Sequence, residues 1–370
     1  VTPQRFIPVA APVLAGNEEA YVLDCLRTTW ISSNGEYIGR FERAFAEFCG
    51  VRHALSCSNG TVALHLALMA AGAGPGDEVL VPALTFVATA NAVTYCGARP
   101  AFVDVDPETW NIDARQIEAR VTERTRGIVV VHLYGQPVDM DAVLAVARRH
   151  DLFVIEDAAE AHGARYRGRT VGALAGLGTF SFYGNKIITT GEGGMVVTDD
   201  DVMAAQIRQL KGQGMDPDRR YWFTMVGYNY RLTNVAAAIG LAQLERADWH
   251  MQRRREVASW YQEDLAGVPG ISWQAEQLWT RHAYWMFTIQ VDEAAADRDR
   301  VMARLAERGI ETRPVFYPLH TLPPYRMSGG GDFPVAERVA RRGINLPTWS
   351  GLTRDDIHYI ASCLRESLGK

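Results

Sequence analysis

The chain has 370 residues, 48% of them hydrophobic and 22% charged, with a formal net charge of -5 and a pI near 6.0, a composition that excludes disordered and fibrous chains and suits two unequal globular domains. Its basic residues are scattered apart from short clusters such as Arg253-Arg254-Arg255, so no nucleic-acid partner is expected. Five cysteines without a CxxC pair, no secretory pattern over Val1 to Val13 and no run of 18 apolar residues point to a cytoplasmic protein with no disulfide framework, no metal and no membrane partner.

From about Ala54 to Thr198 short β-branched runs alternate with stretches of helical period, the pattern of a mostly parallel sheet covered by helices. Predicted strands are Glu78 to Val81, Ala101 to Val105, Gly127 to His132, Leu152 to Glu156, Thr179 to Tyr183 and Gly194 to Thr198. Several are almost wholly apolar, as strands buried on both faces are. Helices are predicted over Thr61 to Ala71, Ala88 to Tyr95 and Met140 to His150. From Ala236 a single long helix is predicted to run through Arg255 to Leu265, closed by Gly267, Pro269 and Gly270, with Arg253 to Arg255 on its solvated face. Beyond it, strands Ala283 to Val291 and Glu311 to Pro314 and helices Asp297 to Arg308 and Asp355 to Leu368 suit a small α+β unit. The expected division is a large α/β domain over residues 1–245 and a small C-terminal α+β domain over 246–370. Ser328 to Asp332 reads as a surface loop rather than a phosphate cradle, because no strand leads into it.

The segment richest in chemistry is Ser181-Phe182-Tyr183-Gly184-Asn185-Lys186, followed by Thr189-Thr190-Gly191-Glu192-Gly193-Gly194. It sets a lysine just beyond a predicted strand, amid small residues that let a ligand approach the backbone. A lysine amine can bond an aldehyde cofactor and, when released, carry a proton between two carbons. Asp157 follows a predicted strand at its carboxyl end, where open α/β sheets bind ligands; it reads either as the partner of a pyridine nitrogen or as a cap. Ser58-Asn59-Gly60-Thr61 opens an apolar helix whose free N–H groups suit a phosphate, and the same residues also suit a plain N-cap. Phe86 reads as a core residue or as a ring that stacks on a ligand, while Phe180, Phe182 and Tyr183 read as core, apart from any one of them that borders the pocket. No GxGxxG follows the first strand, which disfavours a nicotinamide oxidoreductase.

Six ordered motifs carry a resemblance: Trp30-Ile31-Ser32-Ser33-Asn34-Gly35, Ser58-Asn59-Gly60-Thr61, Pro82-Ala83-Leu84-Thr85-Phe86, Glu156-Asp157-Ala158-Ala159-Glu160-Ala161-His162-Gly163, the Lys186 segment, and Gly227-Tyr228-Asn229-Tyr230-Arg231-Leu232. On these the chain resembles the DegT/DnrJ-type sugar aminotransferases, within the aspartate-aminotransferase fold. The resemblance implies the fold-type-I architecture, pyridoxal 5'-phosphate as cofactor, a nucleotide-linked keto sugar and an amino acid donor such as L-glutamate as substrates, and a homodimer with shared active sites. It implies that Lys186 holds the cofactor covalently, Asp157 pairs with its ring nitrogen, Phe86 stacks on its ring, and Gly60, Thr61 and Ser181 hold its phosphate, with Asn229 reaching that phosphate from the neighbouring subunit. Glu160 stands where many relatives carry the glutamine that meets the ring oxygen. Trp30, Ser32, His162, Arg231, Tyr317 and His320 match positions that line the sugar pocket, and His320 reads equally as a surface residue. Because Lys186 is kept where dehydrating relatives carry histidine, the resemblance implies transamination. The lysine segment, with Arg219-Arg220-Tyr221-Trp222 ahead of Gly227, is most similar to relatives that aminate GDP-4-keto-6-deoxymannose at C4; amination at C3, a cyclitol or aminobenzoate substrate, and a non-catalytic cofactor-binding regulator stand as alternatives.

Overall fold

Seven strands make the main sheet: β1 (His53–Cys57), β2 (Glu78–Pro82), β3 (Arg99–Val103), β4 (Thr125–Val131), β5 (Phe153–Asp157), β6 (Leu177–Ser181) and β7 (Gly194–Thr198). They lie in the order β1-β7-β6-β5-β4-β2-β3, and only β7 runs antiparallel to its neighbours. The computed structural model describes residues 6–326 and 330–369; Val1 to Arg5, and Ser328 and Gly329 of the expected loop, lie outside the described residues. Each of the six expected strands is present. β1 escaped the sequence reading because His-Ala-Leu-Ser-Cys has no β-branched residue. The strand expected over Thr179 to Tyr183 ends at Ser181, and the Phe182 N–H bonds the Gly193 carbonyl at 2.8 Å as the chain turns away.

The single long helix expected from Ala236 is two helices, Asn234–Leu244 and Ala247–Leu265. Their sequences explain the break. The first is apolar on nearly every side and buried against helices Glu18–Thr28 and Glu36–Cys49, while the second carries charge and enters another core. That second core forms around an antiparallel sheet of Ile271–Trp273, Phe287–Val291, Gly343–Leu346 and Arg313–Pro314, with Tyr261, Phe287, Ile289 and Ile360 fully or almost fully buried. Ile7 joins this core, its N–H bonding the Gly309 carbonyl at 2.8 Å.

Two expectations fail here for tertiary reasons. The strand expected from Ala283 begins only at Phe287, because Tyr284 is left-handed (φ 47°) and the N–H groups of Ala283 and Trp285 bond the carbonyls of Gly135 and Tyr134, each at 2.9 Å. Arg254, expected in solvent, is 3% exposed and donates to the carbonyls of Trp285 (2.8 Å) and Thr348 (2.9 Å). Among the described residues no helix is long and apolar enough to cross a membrane.

The end of β5 fixes the ground for a site. Successive strand residues point to opposite faces, so its last two acids, Glu156 and Asp157, serve different purposes. Glu156 is fully buried and accepts the N–H groups of Gly172, Leu174 and Ala175, each at 2.7 Å, with the His132 Nε2 at 3.1 Å. It folds the segment after β5 back on itself and leaves Asp157 for the other face. Replacing Glu156 by alanine leaves three buried N–H donors without their acceptor, each worth about 1–3 kcal/mol, so Glu156→Ala is expected to lose about 3 kcal/mol or more. Denaturant unfolding of the cofactor-free protein measures this, and a loss below about 1 kcal/mol would contradict it.

Candidate active site

A cleft of about 630 Å³ opens where β4, β5 and β6 end, at Val131, Asp157 and Ser181, the end of a parallel sheet where ligands bind. The loop after β6 delivers Lys186 to its floor. The chain has three lysines: Lys186 lines the cleft, Lys211 is bound by Glu42 and the Ser56 carbonyl at 2.9 and 2.6 Å, and Lys370 lies outside the described residues. Lys186 Nζ stands 3.8 Å from Glu160 Oε1 and 3.7 Å from the centre of the Trp285 ring.

The carboxylates around that amine are held by the backbone. Asp157 accepts the Thr89 hydroxyl at 2.9 Å and the Ala159 N–H at 3.2 Å. Glu160 accepts the N–H of Tyr134 at 2.8 Å, and Tyr134 is left-handed at φ 56°. A non-glycine residue in that region costs about 1–3 kcal/mol, strain that aims an N–H at Glu160. Burial dominates the electrostatics. It raises the Asp157 carboxyl above its ordinary range and pushes Glu160 up to about 7. It lowers the Lys186 amine, although Glu160 and then Asp157 pull the other way. Amine and carboxyls are thus both driven toward their neutral forms, as low dielectric demands.

The remaining walls suit a flat phosphorylated aromatic. Asn59 caps helix Gly60–Ala70, its side chain accepting the Val62 N–H at 3.0 Å, and leaves the first turn of the helix facing the cleft. A Cβ on Gly60 would lie 2.6 Å from Ser181 Cβ, so only glycine lets the helix start meet Ser181. Free N–H groups, the Thr61 hydroxyl and Ser181 there make an anion seat. Phe86 is 54% exposed and lines the cleft, so it is not a core residue. Asn185 Oδ1 is buried without a partner, a polar atom open to a ligand.

Other expected residues fall elsewhere. His162 is fully buried, its ring 5.5 and 5.6 Å from those of Phe180 and Phe182; burial pushes its imidazole down to about 3. It is a core residue and does not border the cleft, which corrects the sugar-pocket expectation. His320 bonds Glu337 at 3.0 Å and packs on Phe333, also away from the cleft. Tyr317 is exposed beside the cleft residue Phe316. Trp30 and Ser32 have their carbonyls bonded by Asn234 and stand outside the cleft of this chain. Asn229 and Arg231 bond each other at 3.0 and 3.1 Å, and Arg231 borders a separate groove with Ser58 and Glu192. The sequence reading missed Trp285, Met286, Arg313, Phe316 and Asn345, which line the cleft from the C-terminal segments; no local pattern marks them, since tertiary packing alone brings them there.

The sequence profile of the DegT/DnrJ/EryC1/StrS aminotransferase family matches residues 12–365. The chain belongs to that family. It is 56% identical to the GDP-perosamine synthase of Caulobacter vibrioides and 48% identical to that of Escherichia coli O157:H7, each match covering 98% of both chains. Its fold matches the crystal structure of the aminotransferase TlmJ from Streptoalloteichus hindustanus with a TM-score of 0.93 at 34% identity, over 99% of both chains. The family is one of pyridoxal-phosphate-dependent sugar aminotransferases, so the expected fold, enzyme class and cofactor all stand.

For a family member with glutamate at position 160, the proton balance at the lysine is open to test. The Glu160 charge raises the Lys186 amine, so Glu160→Gln is expected to lower the pH midpoint at which Lys186 becomes reactive. Acylation of the cofactor-free protein across pH, followed by peptide mass mapping, reads that midpoint; an unchanged or higher value would contradict the pairing.

Proposed function

We propose that the chain moves the amino group of L-glutamate to C4 of GDP-4-keto-6-deoxymannose, giving GDP-perosamine, with Lys186 as the base of both half reactions. The observation that carries this is the buried Lys186 amine, 3.8 Å from Glu160 in a cleft that Asp157 also lines, in a chain 56% identical to a GDP-perosamine synthase. Pyridoxal phosphate, when bound, supplies the electron sink that makes the proton beside the substrate nitrogen removable.

Each residue then has a task. Lys186 holds the cofactor through its Nζ, and once that amine is free and neutral it takes the proton from the donor carbon and later returns one to the sugar carbon. The lowered affinity of its amine for protons suits it to the first of these steps. Asp157 offers a carboxylate to a protonated ring nitrogen, and Glu160 faces the ring oxygen in place of glutamine. Gly60, Thr61 and Ser181 receive the phosphate, and Phe86 lies against the ring.

A homodimer completes this reading. Tyr221, Trp222, Phe223 and Val226, which shortly precede Asn229 in the chain, expose apolar surface, and so do Trp30 and Ile31. Patches of this kind favour coverage by a partner, and Asn229 from that partner would reach the phosphate seat. The five cysteines are all free, which suits a reducing cytoplasm.

The test takes the protein loaded with pyridoxal phosphate, adds L-glutamate, and then offers GDP-linked and dTDP-linked keto sugars one at a time while absorbance is followed. L-Glutamate is expected to remove the band of the lysine-bonded cofactor, and GDP-4-keto-6-deoxymannose to restore it with a 4-amino product. Restoration by a dTDP sugar alone, or a 3-amino product, would overturn the substrate assignment. Lys186→Ala is expected to retain the cofactor and to lose at least about 1,000-fold in kcat; turnover within tenfold of the parent would remove Lys186 from the mechanism.

A further inference from the structure

Trp285 was not foreseen from sequence, yet its position relative to Lys186 is fixed at every polar atom. Its backbone N–H bonds the Tyr134 carbonyl at 2.9 Å, its carbonyl accepts from the buried Arg254 guanidinium at 2.8 Å, and its indole N–H donates to the carbonyl of Asn185 at 2.8 Å. The ring stacks on Tyr134 at 6.1 Å, and its face lies 3.7 Å from Lys186 Nζ. Asn185 immediately precedes the lysine, so one side chain both ties down the lysine's own loop and covers its amine.

We propose that Trp285 is a positioning residue that defines the resting place of the Lys186 amine whenever that amine is not bonded to the cofactor. A free lysine side chain has about 2 kcal/mol of rotamer entropy, and a base that wanders by about 1 Å can cost about 100-fold in rate. The indole face at 3.7 Å and Glu160 at 3.8 Å give the amine one seat, held by contact with the ring when the amine is neutral and by the attraction of an ammonium to a π surface when it is protonated. Burial and the Arg254 charge lower the Lys186 amine, while Glu160 and Asp157 raise it; the ring is the uncharged member of that surround. Arg254 acts one step further out, by fixing the Trp285 carbonyl. A buried indole N–H needs an acceptor in any case; here that acceptor is the carbonyl of the residue before the lysine.

This rests on the assignment of Lys186 made above but not on the identity of the sugar. The test compares the parent, Trp285→Phe and Trp285→Leu in two measurements. The first is the rate at which the cofactor-free protein captures pyridoxal phosphate covalently, followed by absorbance; the second is the single-turnover half reaction of the loaded protein with glutamate, read as its limiting rate and its apparent KM. Trp285→Phe keeps a ring face and loses the N–H, so it is expected to slow both rates about threefold. Trp285→Leu loses both and is expected to slow both about 10- to 100-fold, with KM for glutamate within about twofold. Melting of each cofactor-free variant close to that of the parent confirms folding, and Trp285→Phe carries the test if the leucine variant melts early. Unchanged rates in Trp285→Leu, a loss confined to KM, or an equal loss in both variants would overturn the proposal. Failure of the parent itself to capture the cofactor would instead sink the assignment of Lys186.

Discussion

The structure turns on drawing one amine largely out of bulk water. A charged amine taken out of water loses several kcal/mol of solvation unless carboxylates and dipoles replace the water, and a reactive lysine on a solvated loop would stay protonated at neutral pH. Lys186 resolves this by standing at the floor of a cleft with Glu160 at 3.8 Å and the Trp285 ring at 3.7 Å. Burial then favours the neutral amine that proton transfer needs.

Much of the surrounding architecture answers to that requirement. The parallel strands bring Val131, Asp157 and Ser181 to one end of the sheet. Alternation along β5 separates Glu156, which gathers the N–H groups of the following segment, from Asp157, which faces the cleft. The left-handed Tyr134 supplies the N–H that holds Glu160. The second sheet closes the cleft with Arg313 and Asn345, the segment after Pro314 adds Phe316, and Arg254 on helix Ala247–Leu265 anchors the residue that covers the lysine. The same acid-rich stretch, Glu156 to Glu160, therefore organises both the loop and the wall of the cleft beside Lys186.

The site was legible in the sequence where its residues sit in local motifs. Lys186, Asp157 and the Asn59-Gly60-Thr61 turn follow directly on a strand or open a helix, and strand ends and helix starts announce themselves through periodicity and capping residues. The family resemblance gave Phe86 a reading that local pattern alone left open. His162 lies within the same motif as Asp157 but is turned into the aromatic core beside Phe180 and Phe182, because a motif states which residues are near and not which way each side chain faces. Arg254 and Trp285 were unreadable for a different reason. An arginine in a charged helix reads as solvated, and only packing against a distant segment makes it a buried anchor. The break between Leu244 and Ala247 and the late start of strand Phe287–Val291 were hidden in the same way, since hydrogen bonds to distant carbonyls override local propensity.

The most direct measurement of the central claim uses the scarcity of lysine in this chain. Borohydride reduction of the protein loaded with pyridoxal phosphate, followed by proteolysis and mass spectrometry, fixes the cofactor permanently to whichever amine carries it. The account predicts a single reduced adduct on the peptide that contains Lys186. An adduct on Lys211 or Lys370, or no adduct in a protein that has bound the cofactor, would contradict it.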